Sequence, residues 1–255
     1  MNLFNEIGTR VVEKSALPVQ DDGKVHIAVY DFDGTCITGN SPVMLVRHLI
    51  RKRKIGLWTA IRIGAWATAY KLSLPQNESW VRWLVFKAFD GTDKVEVDNY
   101  LAKFYEDHVA RRFRPEADLS MANMVEQGFE VIVVSATWDA IVKQASKTHP
   151  FQDCLGVRMQ VDPWGNYTRF VDGEPLEGQA KVDALVAFAD ARYGQGNWIL
   201  DYAFGDHHSD LPLLEYAEHP CAVTPDRPLR RAAKGRDWPI LEWCSVKQYA
   251  KHAGA

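Results

Sequence analysis

Two aspartates one residue apart, Asp31 and Asp33, follow directly on the apolar run Val25–Tyr30, and Gly34 and Thr35 come next. Two carboxylates this close repel each other, and both stay ionised at low cost only when a cation lies between them. Mg²⁺ takes oxygen ligands and bridges carboxylates to phosphate oxygens, so it is the natural candidate. Taken alone, the pair could equally be a polar turn, since Asp and Gly are ordinary turn residues.

Three later stretches add to it. Ser135-Ala136-Thr137 ends a second apolar run, Lys181 stands by itself after Gly178, and Gly205-Asp206 with Asp210 follows a third apolar run. Together these supply four carboxylates, a hydroxyl and an ammonium. A carboxylate can attack phosphorus to form an acyl phosphate, which divides one hard displacement into two easier ones. Positive charge must then meet the transferring oxygens, and a divalent cation with a lysine supplies it.

The elements that would position these groups are legible in outline. Val25–Tyr30, 129–134 and 198–204 read as buried strands of a parallel sheet, whose carboxyl ends form the ligand-binding edge of an open α/β fold. Helices are expected at 116–127, 138–147, 179–193, 210–217 and 227–234, with a short strand at 221–223. Residues 155–171 read as a hairpin turning at Asp162–Asn166. From residue 43 to 114 no strand pattern occurs, and helices are expected at about 42–53, 56–73, 78–89 and 93–112. Ser41-Pro42 reads as the cap and first turn of the first of these. The fold class expected is therefore α/β, with a Rossmann-like, doubly wound parallel sheet and an inserted all-helical domain. The boundaries are 1–20 for an amphipathic lead-in helix, 21–40 and 115–255 for the core, and 41–114 for the helical insert.

Composition narrows the classes of partner. The 255 residues carry 30 Lys+Arg against 33 Asp+Glu, a formal charge of −3, which argues against a nucleic-acid binder. Hydrophobic residues make up 47%, ordinary for a soluble globular chain. Cys36, Cys154, Cys221 and Cys244 are scattered, with no spacing for zinc or a disulfide framework. Residues 1–20 are charged at Glu6, Arg10, Glu13 and Lys14 and lack the apolar core of a secretory signal, so a cytoplasmic location is expected.

The sequence of motifs, DxDGT, then a hydrophobic strand with Ser-Ala-Thr, then Lys, then GDxxSD, resembles the haloacid dehalogenase superfamily over about residues 24–245. The helical insert placed directly after the first motif resembles the C1-type cap of its phosphoserine-phosphatase-like branch, and the tail around His219–Asp226 is similar to that branch too. The resemblance implies a Mg²⁺-dependent phosphomonoester hydrolase. Asp31 would be the nucleophile that becomes aspartyl-phosphate, and Asp33 the general acid and base, oriented by Thr35. Backbone N–H groups from Phe32 to Gly34 would cradle the phosphate, with Ser135 and the adjoining Ala136 amide binding another of its oxygens. Lys181 would neutralise charge on nucleophile and phosphate. Asp31, the Asp33 carbonyl and Asp206 would ligate the metal, and Asp210 would act through water.

Specificity would come from the cap. Where phosphoserine phosphatases place a glutamate to hold the substrate ammonium, this chain has Asn40, and Arg62 is the cap residue expected to reach substrate. Arg47, His48, Arg51, Lys52, Arg53 and Lys54 precede an apolar stretch carrying Trp58 and Trp66. Two readings stand: a buried cap helix with a solvated flank, or a peripheral contact with the inner face of a membrane. The substrate is then a small phosphorylated metabolite or a lipid-head phosphate. The second possibility matches the phosphatidylglycerophosphatase-like members of the branch. A phosphoserine phosphatase, a phosphotransferase and a non-catalytic phosphoryl-binding module are the competing readings.

Overall fold

The chain is described here by a computed structural model over residues 22–53, 85–244 and 248–249. The expected lead-in helix, the helix at 56–73, the first part of the one at 78–89, and Trp58, Arg62 and Trp66 lie outside the described residues.

β1 (Val25–Tyr30) is the middle strand of a seven-stranded sheet ordered β4-β3-β2-β1-β5-β6-β7. Its partners on either side, β2 (Glu130–Trp138) and β5 (Trp198–Gly205), both run parallel to it. From β1 the chain builds outward through β2 to β3 (Asp153–Val161), then returns to lay β5 on the other flank. That reversal puts a crevice at the carboxyl ends of β1 and β5, the place where ligands bind in such sheets. Register does the rest: Tyr30 is level with Val133 and with Phe204, so Asp31 comes level with Val134 and Gly205, and Ser135 and Asp206 follow one residue on at the same edge.

Burial explains why β1 is a strand. Ile27, Ala28, Val29 and Tyr30 are fully enclosed between helical layers, and branched side chains pack well on a pleated surface. Tyr30 stacks on Phe204 with ring centres 4.2 Å apart, and its buried hydroxyl is paired with Ser120 Oγ at 2.7 Å. The outer strands β6 (His219–Val223) and β7 (Ile240–Leu241) continue the parallel set.

The helices are α1 (Ser41–Arg51), α2 (Lys94–Phe104), α3 (Pro115–Glu126), α4 (Asp139–Ala145), α5 (Gln179–Tyr193), α6 (Leu211–Tyr216) and α7 (Arg227–Gly235). Residues 85–89 are helical as well.

Several boundaries differ from the sequence expectation. β2 does not stop at Val134 but runs through Ser135-Ala136-Thr137 to Trp138, because Trp138 is buried and pairs with Val157. The hairpin at 155–171 forms with β4 (Tyr167–Asp172), yet β3 also joins the main sheet beside β2, so the sheet is mixed at that edge. The helix expected at 93–112 is regular only to Phe104. It then widens into a π turn over Tyr105–Val109 and tightens at Ala110–Arg112. In that stretch the Tyr105 hydroxyl meets His149 Nε2 at 3.0 Å, and Phe113 stacks on the same imidazole.

Candidate active site

Each candidate group leaves the end of an element. Asp31 sits one residue past β1, held by its own N–H donating to Phe204 O at 2.8 Å. Beyond it the chain folds back at once: Ile37 N–H donates to Phe32 O and Gly34 N–H to Ile37 O, each at 3.0 Å. Gly34 has φ +92°, and a methyl group on its α-carbon would overlap the Asp206 carboxylate. Glycine is needed twice over, for the backbone and for the space. Gly205 leaves space for Asp210, whose Cβ would lie 2.7 Å from a Cβ placed there.

The centre is a buried ion cluster. Lys181, in the first turn of α5, is 2% exposed, and its Nζ lies 2.5 Å from Asp31 Oδ1 and 2.6 Å from Asp210 Oδ1. Asp210 Oδ2 also accepts the His207 N–H at 3.1 Å, so this carboxylate is held as a strut between two elements. Asp31, Asp206 and Asp210 offer ligand oxygens that all fall within 4.8 Å of one another.

Four carboxylates face one ammonium, and the electrostatics register the imbalance. Burial pushes Asp31 up to about 7; Lys181 pulls it down and Asp210 pushes it further up. Burial also pushes Asp33 to about 7, against the Ser41 N–H that favours its ionised form. Asp206 is pushed up to about 9, by burial first and then by the charges of Asp31 and Asp210. For Lys181, burial works against the ammonium, but Asp210 and Asp31 outweigh it and raise the group. Asp206 Oδ1 is buried and has no hydrogen-bond partner among the described residues. A buried carboxylate oxygen without a partner is costly, and a hard divalent cation would satisfy it. The residues present therefore fit Mg²⁺.

The remaining candidates are placed as follows. Ser135 is buried beside the cluster edge, its Oγ accepting the Thr137 N–H at 3.1 Å. Phe32 is enclosed in the core, and Ala136 follows Ser135 on β2. Three expectations need correction. Thr35 does not orient Asp33: its hydroxyl is buried with no partner among the described residues. Ser41 does so instead, through its N–H to Asp33 Oδ1 at 2.5 Å and its Oγ near Asp33 Oδ2 at 3.1 Å, with Thr137 Oγ1 2.7 Å behind. The Gly34 N–H is already spent on Ile37, which leaves Phe32 and Asp33 as the backbone donors of the expected cradle. Asn40, not Ser41, caps α1, and its side-chain oxygen accepts the Val43 N–H at 3.0 Å.

Arg114 was missed altogether. Its buried guanidinium donates to Gly34 O at 3.0 Å, Trp243 O at 2.9 Å and Cys244 O at 2.8 Å, tying the Asp31–Ile37 turn to the C-terminal segment. The only sequence signal was an arginine directly before Pro115, where the α/β pattern resumes. His207 engages Ser209 through Nδ1 at 2.9 Å and ligates nothing in the cluster. The Cys36 thiol donates to Asp31 O at 3.0 Å, and burial raises it well above the ordinary thiol range.

The doubly wound sheet thus carries a lysine-bridged carboxylate cluster at its switch point. Residues 28–215 match the haloacid dehalogenase-like hydrolases, and the chain belongs to that family. It is an enzyme of the phosphatase type within it. A histidinol-phosphatase from Neisseria meningitidis is 26% identical over 237 residues, which cover 86% of this chain and 99% of that protein. A solved protein of unknown function from Bordetella pertussis shares the fold with a TM-score of 0.76 and 20% identity, over 86% of this chain and 99% of that one. So does a phosphoserine phosphatase solved as a phospho-aspartyl intermediate analogue, with a TM-score of 0.60 and 18% identity, over 90% and 99%.

Proposed function

We propose that the protein is a Mg²⁺-dependent phosphomonoester hydrolase working through an aspartyl-phosphate on Asp31. The observation that carries this is the Asp31 carboxylate, fixed by Lys181 inside a cluster whose Asp206 oxygen lacks a partner. Asp31, Asp206 and the Asp33 carbonyl would hold the cation, with Asp210, already engaged by Lys181 and His207, acting through water. Bound there, Mg²⁺ supplies positive charge against the phosphoryl oxygens.

The chain's own groups do the rest. An Asp31 oxygen attacks phosphorus, the P–O bond to the leaving group breaks, and protonated Asp33 gives its proton to the departing oxygen. Asp33, pushed up to about 7, holds that proton near neutral pH. Asp33 then takes a proton from water, the resulting hydroxide attacks phosphorus, and phosphate leaves with Asp31 restored. Lys181, Ser135 and the Phe32 and Asp33 amides bind phosphoryl oxygens throughout.

The segment between the two halves of the core, of which residues 41–53 and 85–114 are described, would act as the cap that selects the substrate, a small phosphorylated metabolite. The histidinol-phosphatase relative, matched along nearly its whole length, makes amino-alcohol phosphates the first compounds to assay. The test is turnover of p-nitrophenyl phosphate with Mg²⁺ by the chain and by Asp31→Asn, followed by a panel including histidinol phosphate and phosphoserine. The variant should lose at least about 1000-fold in kcat. Equal rates in the two proteins would overturn the nucleophile assignment.

A further inference from the structure

Outside the carboxylate cluster, a concentration of positive charge lies between α1 and the 105–112 turns. Met44, Arg47, His48 and Arg51 on α1 face His108, Arg111 and Arg112 across a cleft of about 130 Å³. Two imidazoles line it, His48 and His108, with ring centres 4.7 Å apart, and His48 also packs against Phe104 at 5.4 Å. All four guanidinium side chains are on exposed residues at the rim.

Among the described residues no carboxylate is bonded to them, and Asp107 is the acidic group felt in the cleft. The two carboxylates adjoining His108 are occupied elsewhere: Asp107 by Lys103 at 2.5 Å, and Glu106 by Gln144 at 2.8 Å. Among the described residues none of the four arginines has a carboxylate within ion-pair distance, and Arg112 reaches only the Thr38 carbonyl at 3.4 Å. Inside the cleft burial first, then His108 and Lys52, hold His48 below the usual histidine range against the pull of Asp107. Arg47 and Arg51 repeat at i and i+4, a like-charge spacing that weakens a helix. Helix-dipole compensation accounts for cations in a last turn, such as Arg51 on α1 and the Arg111–Arg112 pair that closes the 94–112 stretch, but not for Arg47 or for the two basic ends facing each other across one cleft.

We propose that this cleft is a second anion site, for a phosphate monoester or diphosphate group, separate from the carboxylate cluster. Guanidinium forks match phosphate oxygens in pairs, and the two imidazoles lining the cleft add donors when protonated. Arg47 stands six residues beyond Ser41, roughly 9 Å further along α1, and the cleft shares no residue with the carboxylate cluster. An anion here joins the segment that leaves the sheet after Asp33 to the one that returns to it before Arg114. The site needs no catalysis, and its test is independent of the phosphatase reading.

The test is an NMR titration of the full chain with inorganic pyrophosphate in EDTA, following the ring signals of His48 and His108, beside the same titration of R47Q/R111Q. Both signals should shift to saturation in the parent chain. The double variant, shown to fold by an unchanged thermal transition, should bind at least about tenfold more weakly. Added salt should weaken the parent's binding as well. Absence of shifts, or equal affinity in the two proteins, would overturn the site. Co-sedimentation with phosphatidic acid vesicles against phosphatidylcholine vesicles separates the sources of the anion. Pyrophosphate-competed sedimentation assigns a lipid headgroup, and pyrophosphate binding without sedimentation assigns a soluble ligand.

Discussion

The bare α-carbon of Gly34 faces the Asp206 carboxylate so closely that no side chain fits between the turn after β1 and the end of β5. Two strands from distant parts of the chain are thus allowed to bring the Asp31 and Asp206 carboxylates within 4.8 Å of each other, as the proposed cation site requires. Gly34→Ala should displace Asp206 and strain a position with φ +92°. Activity with Mg²⁺ should fall by about 100-fold or more, and half-saturation should move to higher Mg²⁺. Steady-state kinetics against Mg²⁺ concentration check both.

Ser41 holds Asp33 by both its N–H and its hydroxyl. Ser41→Ala keeps the first bond and loses the second, together with the link to Thr137. Stability should drop by about 1 kcal/mol, the net worth of a neutral hydrogen bond. Because Asp33 rather than substrate is loosened, kcat should fall about tenfold with KM little changed. Thr35→Val, by contrast, should leave kcat close to the parent value.

Lys181→Met removes the ammonium from between Asp31 and Asp210. Breaking a buried ion pair from one side costs about 3–5 kcal/mol, because the partner charge is left enclosed. The melting temperature should therefore fall sharply without metal. Mg²⁺ should recover part of the loss, since it neutralises the same carboxylates, while turnover stays abolished. Calorimetry with and without Mg²⁺ measures this.

Arg114→Met leaves the carbonyls of Gly34, Trp243 and Cys244 without their buried donor. A destabilisation of about 3 kcal/mol is expected. Hydrogen exchange should quicken in the 32–37 turn and at 243–244 together, because one side chain serves both.

The pH dependence has a definite sign. Asp31 and Asp33 are raised to about 7 and Asp206 to about 9, so the folded metal-free protein binds more protons than the unfolded chain above pH 4. Its stability should accordingly decline as pH rises from about 4 towards 9. Mg²⁺ competes with those protons and binds the folded state, so the gain in melting temperature on adding it should grow over the same range. A gain that shrinks with rising pH would contradict a carboxylate site.

The groups that the proposed chemistry needs stand in the chain as short motifs. An aspartate pair closing an apolar β-branched run, a hydroxyl motif, a lone lysine and a Gly-Asp with a second aspartate are local patterns. Burial on both faces makes such runs strands, and the breaks fall at glycine and proline, so type and order of elements followed from short-range physics. What the sequence could not contain was which donor meets which acceptor. The register between β1 and β5 decided that Gly34 lies under Asp206. The path of α1 decided that Ser41, and not Thr35, holds Asp33. Only the return of the chain through Arg114 joined the turn to residues 243–244, some 130 positions further on. These are long-range contacts, set by how layers pack rather than by any residue's own preference, and the paired basic faces of α1 and 105–112 became one cleft for the same reason.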